Sequence, residues 1–256
     1  MKNFVISLKT ATARREHICK EFGKQNINFD FFDALTPDLA KPLAEKMHLN
    51  VGDEYLTGGE LACFMSHVSV WQKMVDEQIP YIAVFEDDIF LGQDAFSIFS
   101  TSAWIQENWH IIKTEAFSKK VLLAKNTYNI ENTDREIKRL TSKNLGTAGY
   151  ILSLKGAKEY LSYIKKNFLV PLDEVMFRDF IQTKQCDVYQ MSPAICIQEM
   201  MLYPEKKTVL SSDLIDERKA RMKKYKKKGL KKIKKEIIRI VHQIKYYLFG
   251  KEVDFK

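Results

Sequence analysis

A short apolar run, Tyr81-Ile82-Ala83-Val84-Phe85, ends in three consecutive acids, Glu86-Asp87-Asp88. A run of this length reads as a buried strand. Acids at its C-terminal end fall at the sheet edge, where open α/β sheets bind ligands. Adjacent carboxylates repel one another, so the cluster is unfavourable unless a cation or hydrogen-bond donors neutralise it. Two readings follow. In one, a hard divalent cation with phosphate oxygens neutralises the acids, giving a metal-assisted site for a nucleotide diphosphate. In the other, the acids form a turn that caps the next helix.

The flanking sequence supports an α/β setting. Residues 3–8 read as a strand, 11–24 as a helix, and 27–33 as a second, alternating strand. A loop with Pro37 and Pro42 follows, then a helix from Gly58-Gly59-Glu60 to about Val75. Its residues Leu61, Phe64, Val68, Trp71 and Val75 recur at helical spacing and mark one apolar face. This strand–helix–strand rhythm predicts a mostly parallel sheet with helices on its faces. Beyond residue 95 the pattern weakens. Residues 121–124 read as a strand, and 126–143 as a polar excursion or hairpin. Residues 146–152 read as a loop entering a strand, and 156–166 as a helix. Leu172-Asp173-Glu174 opens another helix after Pro171, and 186–191 form a late strand.

Composition bounds the class. The chain has 256 residues, enough for one substantial domain with an appendage. The N-terminal apolar run is too short for export, and no stretch is long and apolar enough to span a bilayer. The cysteines Cys19, Cys63, Cys186 and Cys196 form no CxxC pair, and the histidines show no zinc spacing. The expectation is a cytoplasmic chain with reduced, interior thiols. Charge is unevenly spread. Residues 218–256 hold 16 basic and 3 acidic side chains, whereas the rest hold 25 and 30. This predicts a mildly acidic domain, 1–217, and a very basic tail, 218–256, that meets an anionic surface.

Glu60 and His67 project within roughly 20° of each other on their helix, two turns apart. Both can face one cleft, or they are a helix-start acid and a satisfied edge histidine. Arg14 and Arg15 follow the first strand, where a guanidinium can pair with pyrophosphate oxygens or simply be solvated.

Taken together, these stretches resemble glycosyltransferase family 25, the bacterial lipooligosaccharide galactosyltransferases. The matching residues run in family order. They are Phe4-Val5-Ile6-Ser7-Leu8 with Arg14-Arg15, Phe32-Asp33-Ala34, Gly59-Glu60-Leu61-Ala62-Cys63 with Ser66-His67 and Trp71, and Glu86-Asp87-Asp88. Then come Gly146-Thr147-Ala148-Gly149-Tyr150, Pro171-Leu172-Asp173, Gln198, and Ser212 to Arg218. Ala62 departs from the glycine that is frequent there, and the basic tail lies outside the family core.

The resemblance implies a GT-A-like domain, a UDP-sugar donor, usually manganese (or Mg²⁺), and inverting transfer of a β-linked hexose, most often galactose. On that basis Asp88 is expected to ligate the metal. Glu86 is expected at the ribose or at the metal through water, and Asp87 as a brace of the turn. Arg14, Arg15, Thr147 and Gln198 are expected around the donor. Asp173 is the first candidate for general base and Glu60 the second, with His67 orienting a hydroxyl. As a plain sequence feature, Asp173 also reads as a helix cap.

The tail carries twelve basic residues between 218 and 235, then an amphipathic stripe of Leu230, Ile233, Ile237, Ile240, Val241, Ile244 and Leu248. It predicts a helix lying on an anionic inner-leaflet membrane, where a lipooligosaccharide acceptor is built. A solvated helix packed on the domain is the alternative. A single aromatic residue, Tyr225, falls within the lysine run, too few for base stacking along it, so nucleic acid is not the expected partner. Two rival functions remain at this level. One is the same transfer from UDP-glucose or a UDP-N-acetylhexosamine. The other is a non-catalytic membrane- or nucleic-acid-binding module.

Overall fold

A computed structural model describes residues 1–52, 55–118, 120–205, 218, 221–223, 239–240 and 243–256. In chain order the first half contains β1 (Lys2–Ser7), α1 (Thr12–Lys24), β2 (Asp30–Asp33), α2 (Pro37–Lys46), α3 (Gly58–Asp76), β3 (Tyr81–Glu86), β4 (Ile89–Leu91), α4 (Ala95–Phe99), β5 (Ile111–Lys113) and β6 (Glu115–Ala116). The second half contains β7 (Lys120–Val121), β8 (Leu123–Asn129), β9 (Glu136–Leu140), β10 (Gly149–Ser153), α5 (Leu154–Lys166), α6 (Leu172–Glu174), a π-helical turn (Val175–Asp179), α7 (Phe180–Thr183), β11 (Val188–Ser192), β12 (Cys196–Gln198), α8 (Glu199–Leu202) and β13 (Lys251–Glu252).

Eight strands form one sheet in the order β2-β1-β3-β10-β5-β11-β9-β8. Six run in one direction, and β10 and β9 run against them. The α/β fold with a mostly parallel sheet is therefore as expected, and β3 lies near its middle. Side chains alternate across each strand. Phe4, Ile6, Ile82, Val84, Tyr150 and Leu152 face a core shared with α2, α3 and α5. Val5, Ala83, Phe85 and Ile151 face the other core, with α1 and α4. There Phe85 meets Phe22 edge-on at 5.3 Å and Phe99 at 4.8 Å. Such aromatic pairs add about 0.5–1.5 kcal/mol each beyond area burial.

Some local expectations need correction. The segment with Pro37 and Pro42 is a helix, α2. Pro37 occupies a first-turn position where its missing N–H is no loss. Burial of Ala40 and Ala44 outweighs the one bond lost at Pro42. Helix α3 is buried on more than one face, with Glu60, Ala62, Met65, Ser66, His67 and Val70 covered as well as its apolar stripe. It is wrapped by the sheet, α2 and α5. For the polar stretch 126–143 the hairpin alternative holds: β8 and β9 pair antiparallel and extend the main sheet. The four cysteines are unpaired, but Cys19 is exposed rather than interior.

The chain returns to the domain at its far end. Strand β13 pairs with β7, Val253 is buried, and Ala194 bridges to Phe255. Between 206 and 250 only residues 218, 221–223, 239–240 and 243–250 are described, so most of the expected basic helix lies outside the described residues. No described helix is long and apolar enough to cross a membrane.

Candidate functional site

The site forms where β3 leaves the sheet. By strand parity Glu86 follows Ile82 and Val84 onto the α3 side. There Thr147 Oγ1 donates to Glu86 Oε1 at 2.7 Å, and His67 Nε2 lies 3.7 Å from the same oxygen. Burial pushes the Glu86 carboxyl up, but His67, Thr147 and the Arg218 charge together hold it below its ordinary value.

Asp87 turns the other way. It accepts from Ser7 Oγ at 2.6 Å and from Arg14 Nη1 at 2.7 Å. Ser7 reaches it because β1 pairs in parallel register with β3, Ile6 opposite Glu86. Asp87 is thus tied to Ser7 on β1 and to Arg14 on α1. Arg15 donates to the Ser7 and Leu8 carbonyls and to Asp33 Oδ1 at 2.5 Å. Both arginines are therefore tied to the protein near the site.

Asp88 is buried beside Gln198, whose Nε2 donates to both carboxylate oxygens at 3.2 and 3.1 Å. A second, three-stranded sheet, β4-β12-β6, brings them together by pairing Gln198 with Ile89. Burial, then the charge of Glu86, raises the Asp88 pKa to about 7. Two crowded oxygen donors, one retaining its proton until near neutrality, form a set that a hard divalent cation would stabilise.

Across the cleft stands the N-terminal end of α3. Glu60 completes a capping box with Thr57, accepting from Thr57 N at 3.2 Å while Thr57 Oγ1 accepts from Glu60 N at 3.1 Å. It also pairs with Arg218 at 3.4 Å and Arg221 at 2.8 Å. Both carboxylate oxygens are thereby engaged. His67 is fully buried, and its Nε2 faces Glu86. Direct contact of His67 with a substrate hydroxyl, the expected role, does not fit this placement.

Asp173 is buried in the first turn of α6, where Pro171 rather than Asp173 occupies the cap position. Its Oδ1 accepts from Glu174 N at 2.9 Å. Its charge is felt by Cys63 and Arg218. The Cys63 thiol, with His67 and Glu86, offers ligand atoms within 4.8 Å of one another. Burial, then Glu86, pushes the thiol well above its ordinary pKa, so it stays protonated.

Sequence reasoning missed the layer beneath Thr147. Lys113 and Glu115 are fully buried and paired at 2.7 Å. Lys113 Nζ donates to Gly146 O at 2.5 Å, and Ala148 N donates to Glu115 Oε2 at 3.1 Å. The pair thus holds the turn that presents Thr147. Gly146 has φ +91°, and a Cβ there would lie 2.7 Å from the Glu115 carboxylate. Two charges inside Ile111-Ile112-Lys113-Thr114-Glu115-Ala116 were the available signal. Burial raises the Glu115 pKa to about 7, against the pull of Lys113.

A pH effect on stability follows. Asp88 and Glu115 have folded pKa values above their ordinary 3.8 and 4.5. The folded state therefore keeps protons that the unfolded chain releases. Their contribution is full below the ordinary carboxylate range and is lost as pH rises through about 7. Metal-free protein should melt a few degrees lower at pH 8 than at pH 6. Mn²⁺ should recover part of that loss at pH 8, as followed by circular dichroism.

Residues 1–176 match the model of glycosyltransferase family 25 (LPS biosynthesis protein). A putative glycosyltransferase of Haemophilus influenzae is 37% identical, over 99% of this chain and 88% of its own length. The lipooligosaccharide biosynthesis protein lic2B, also of Haemophilus influenzae, is 40% identical over 90% and 88%. A solved glycosyltransferase involved in glycosylation of the PBCV-1 major capsid aligns at TM-score 0.41 and 9% identity, covering 77% of this chain and 91% of that one. The family match over most of the chain and these full-length relatives show that the chain belongs to glycosyltransferase family 25.

Proposed function

We propose that this glycosyltransferase moves a hexose, galactose first, from a UDP-sugar to a lipooligosaccharide core acceptor, with inversion. The observation that carries the reading is the convergence of Glu86, Asp88, Gln198 and Thr147 at one end of β3. The cited relatives, one of them a lipooligosaccharide biosynthesis protein, support the acceptor class. The GT-A-like character of the domain and its boundary near residue 217 belong to the same proposal.

Asp88 and Glu86 would hold Mn²⁺ or Mg²⁺, with Gln198 steadying Asp88. When bound, the cation supplies Lewis-acid neutralisation of the leaving diphosphate. Asp173 takes the proton of the acceptor hydroxyl as that oxygen bonds to the anomeric carbon. The bond from that carbon to the diphosphate breaks, and its electron pair leaves with UDP. Arg14 and Arg15 act near the donor by holding Asp87 and Asp33, while Arg218 and Arg221 set positive charge beside Glu60. Glu60 is the weaker candidate base because its oxygens are already engaged.

A donor panel tests the function. UDP release should be greatest with UDP-galactose, should need a divalent ion, and should stop with chelator. Preference for UDP-glucose or a UDP-N-acetylhexosamine would reassign the sugar, and no release from any donor would favour a non-catalytic binding module.

Membrane docking at the cytoplasmic face of the inner membrane is proposed for the tail. Residues 243–249 are helical, and Ile240, Ile244, Tyr247, Leu248 and Phe249 are exposed. Tyr246 meanwhile donates to Lys143 O at 3.3 Å, which ties the helix to the domain. Because Val253 packs below it, point substitutions are better than truncation. Ile244→Asp with Leu248→Asp should abolish flotation with anionic vesicles, and unchanged recovery would contradict docking.

A further inference from the structure

Behind Glu86 runs a buried polar chain. Trp71 Nε1 donates to the Tyr150 hydroxyl at 2.8 Å, and that hydroxyl lies 2.8 Å from His67 Nδ1. All three side chains are fully buried. An indole N–H only donates, so the Tyr150 oxygen accepts it. Burial raises the Tyr150 pKa well above its ordinary value, so the phenol keeps its proton. Among the described residues the acceptor in reach of that proton is His67 Nδ1. Nδ1 is then the bare nitrogen, and Nε2 carries the hydrogen. A doubly protonated ring would instead leave the buried Tyr150 proton unpaired.

The consequence falls on Glu86. His67 Nε2 has no hydrogen-bond partner and points to Glu86 Oε1, 3.7 Å away. Thr147 Oγ1 donates to that same oxygen at 2.7 Å. Thr147 thus bonds Oε1, the His67 Nε2–H lies beside it beyond hydrogen-bond distance, and no described residue donates to Oε2. We propose that Trp71 and Tyr150 are positioning residues. They hold His67 as its Nε2–H tautomer, which turns an N–H toward the Oε1 that Thr147 bonds and leaves Oε2 of Glu86 to the nucleotide-sugar or its cation. This rests on the reading that Glu86 meets the donor. The same tautomer turns a protonated nitrogen toward Cys63 and Glu86, where a metal ligand would need a bare one.

Long-range ¹⁵N spectra of the full chain test the tautomer directly. His67 Nε2 should resonate with protonated ring nitrogens and Nδ1 with bare ones. Tyr150→Phe should mix the two tautomers and weaken UDP binding in Mn²⁺ about tenfold. Tyr160→Phe is the control. Tyr160 stacks on Trp71 at 5.1 Å and donates to Met176 O at 3.3 Å, so its loss perturbs the same core away from Glu86. It should lower Tm comparably and leave UDP affinity unchanged. A protonated Nδ1 in the unaltered protein overturns the tautomer, whether or not Tyr150→Phe folds. Equal UDP affinities in the two variants overturn the positioning role. If the unaltered protein binds no UDP, the donor reading fails, and the His67 spectrum still decides the tautomer.

Discussion

Asp88→Asn should lower metal-dependent UDP affinity by about two orders of magnitude or more and abolish sugar transfer. The fold should survive. Asp88 already holds a proton up to about pH 7 in the metal-free protein, and asparagine closely mimics that neutral acid. The substitution also removes the repulsion from Glu86, so metal-free Asp88→Asn should melt no lower than the unaltered protein at pH 8. Isothermal titration with UDP, with and without Mn²⁺, separates the outcomes. Unchanged Mn²⁺-dependent binding would remove Asp88 from the metal site.

Asp173→Asn should leave UDP binding intact and cut turnover by about 10²–10⁴. Asparagine still offers an oxygen to Glu174 N–H, the hydrogen bond that the Asp173 side chain accepts among the described residues, so the helix start should hold. Glu60→Gln makes the informative comparison. It weakens the ion pairs to Arg218 and Arg221, so thermal stability should suffer more than turnover. Single-turnover kinetics at saturating donor distinguish the two. Near-normal turnover in Asp173→Asn, with collapse in Glu60→Gln, would transfer the base to Glu60.

How much of this was visible beforehand follows from range. The acid-ended strand, its α/β setting and helix α3 depend on local periodicity, and they are found where expected. Glu86 facing α3 also follows from parity with Ile82 and Val84. Strands of three residues or fewer carry too little pattern to read. Thus β5, β6 and β12 were not seen, and with them the Lys113–Glu115 layer stayed hidden. The Gln198–Asp88 contact joins residues 110 apart through the small sheet, a pairing that no local rule supplies. Arg14 looked available for phosphate because β1–β3 register, which delivers it and Ser7 to Asp87, is a tertiary fact. Helix α2 was obscured by its two prolines: Pro37 is harmless at the helix start, and the bond lost at Pro42 inside it is offset by tertiary burial that no local rule reveals.

A crystal structure with Mn²⁺ and UDP bound tests the central claim most directly. The account predicts the ion directly on the Asp88 carboxylate, with the diphosphate against it and Asp173 facing the vacated sugar position. Ion and nucleotide bound together away from the end of β3 would contradict it.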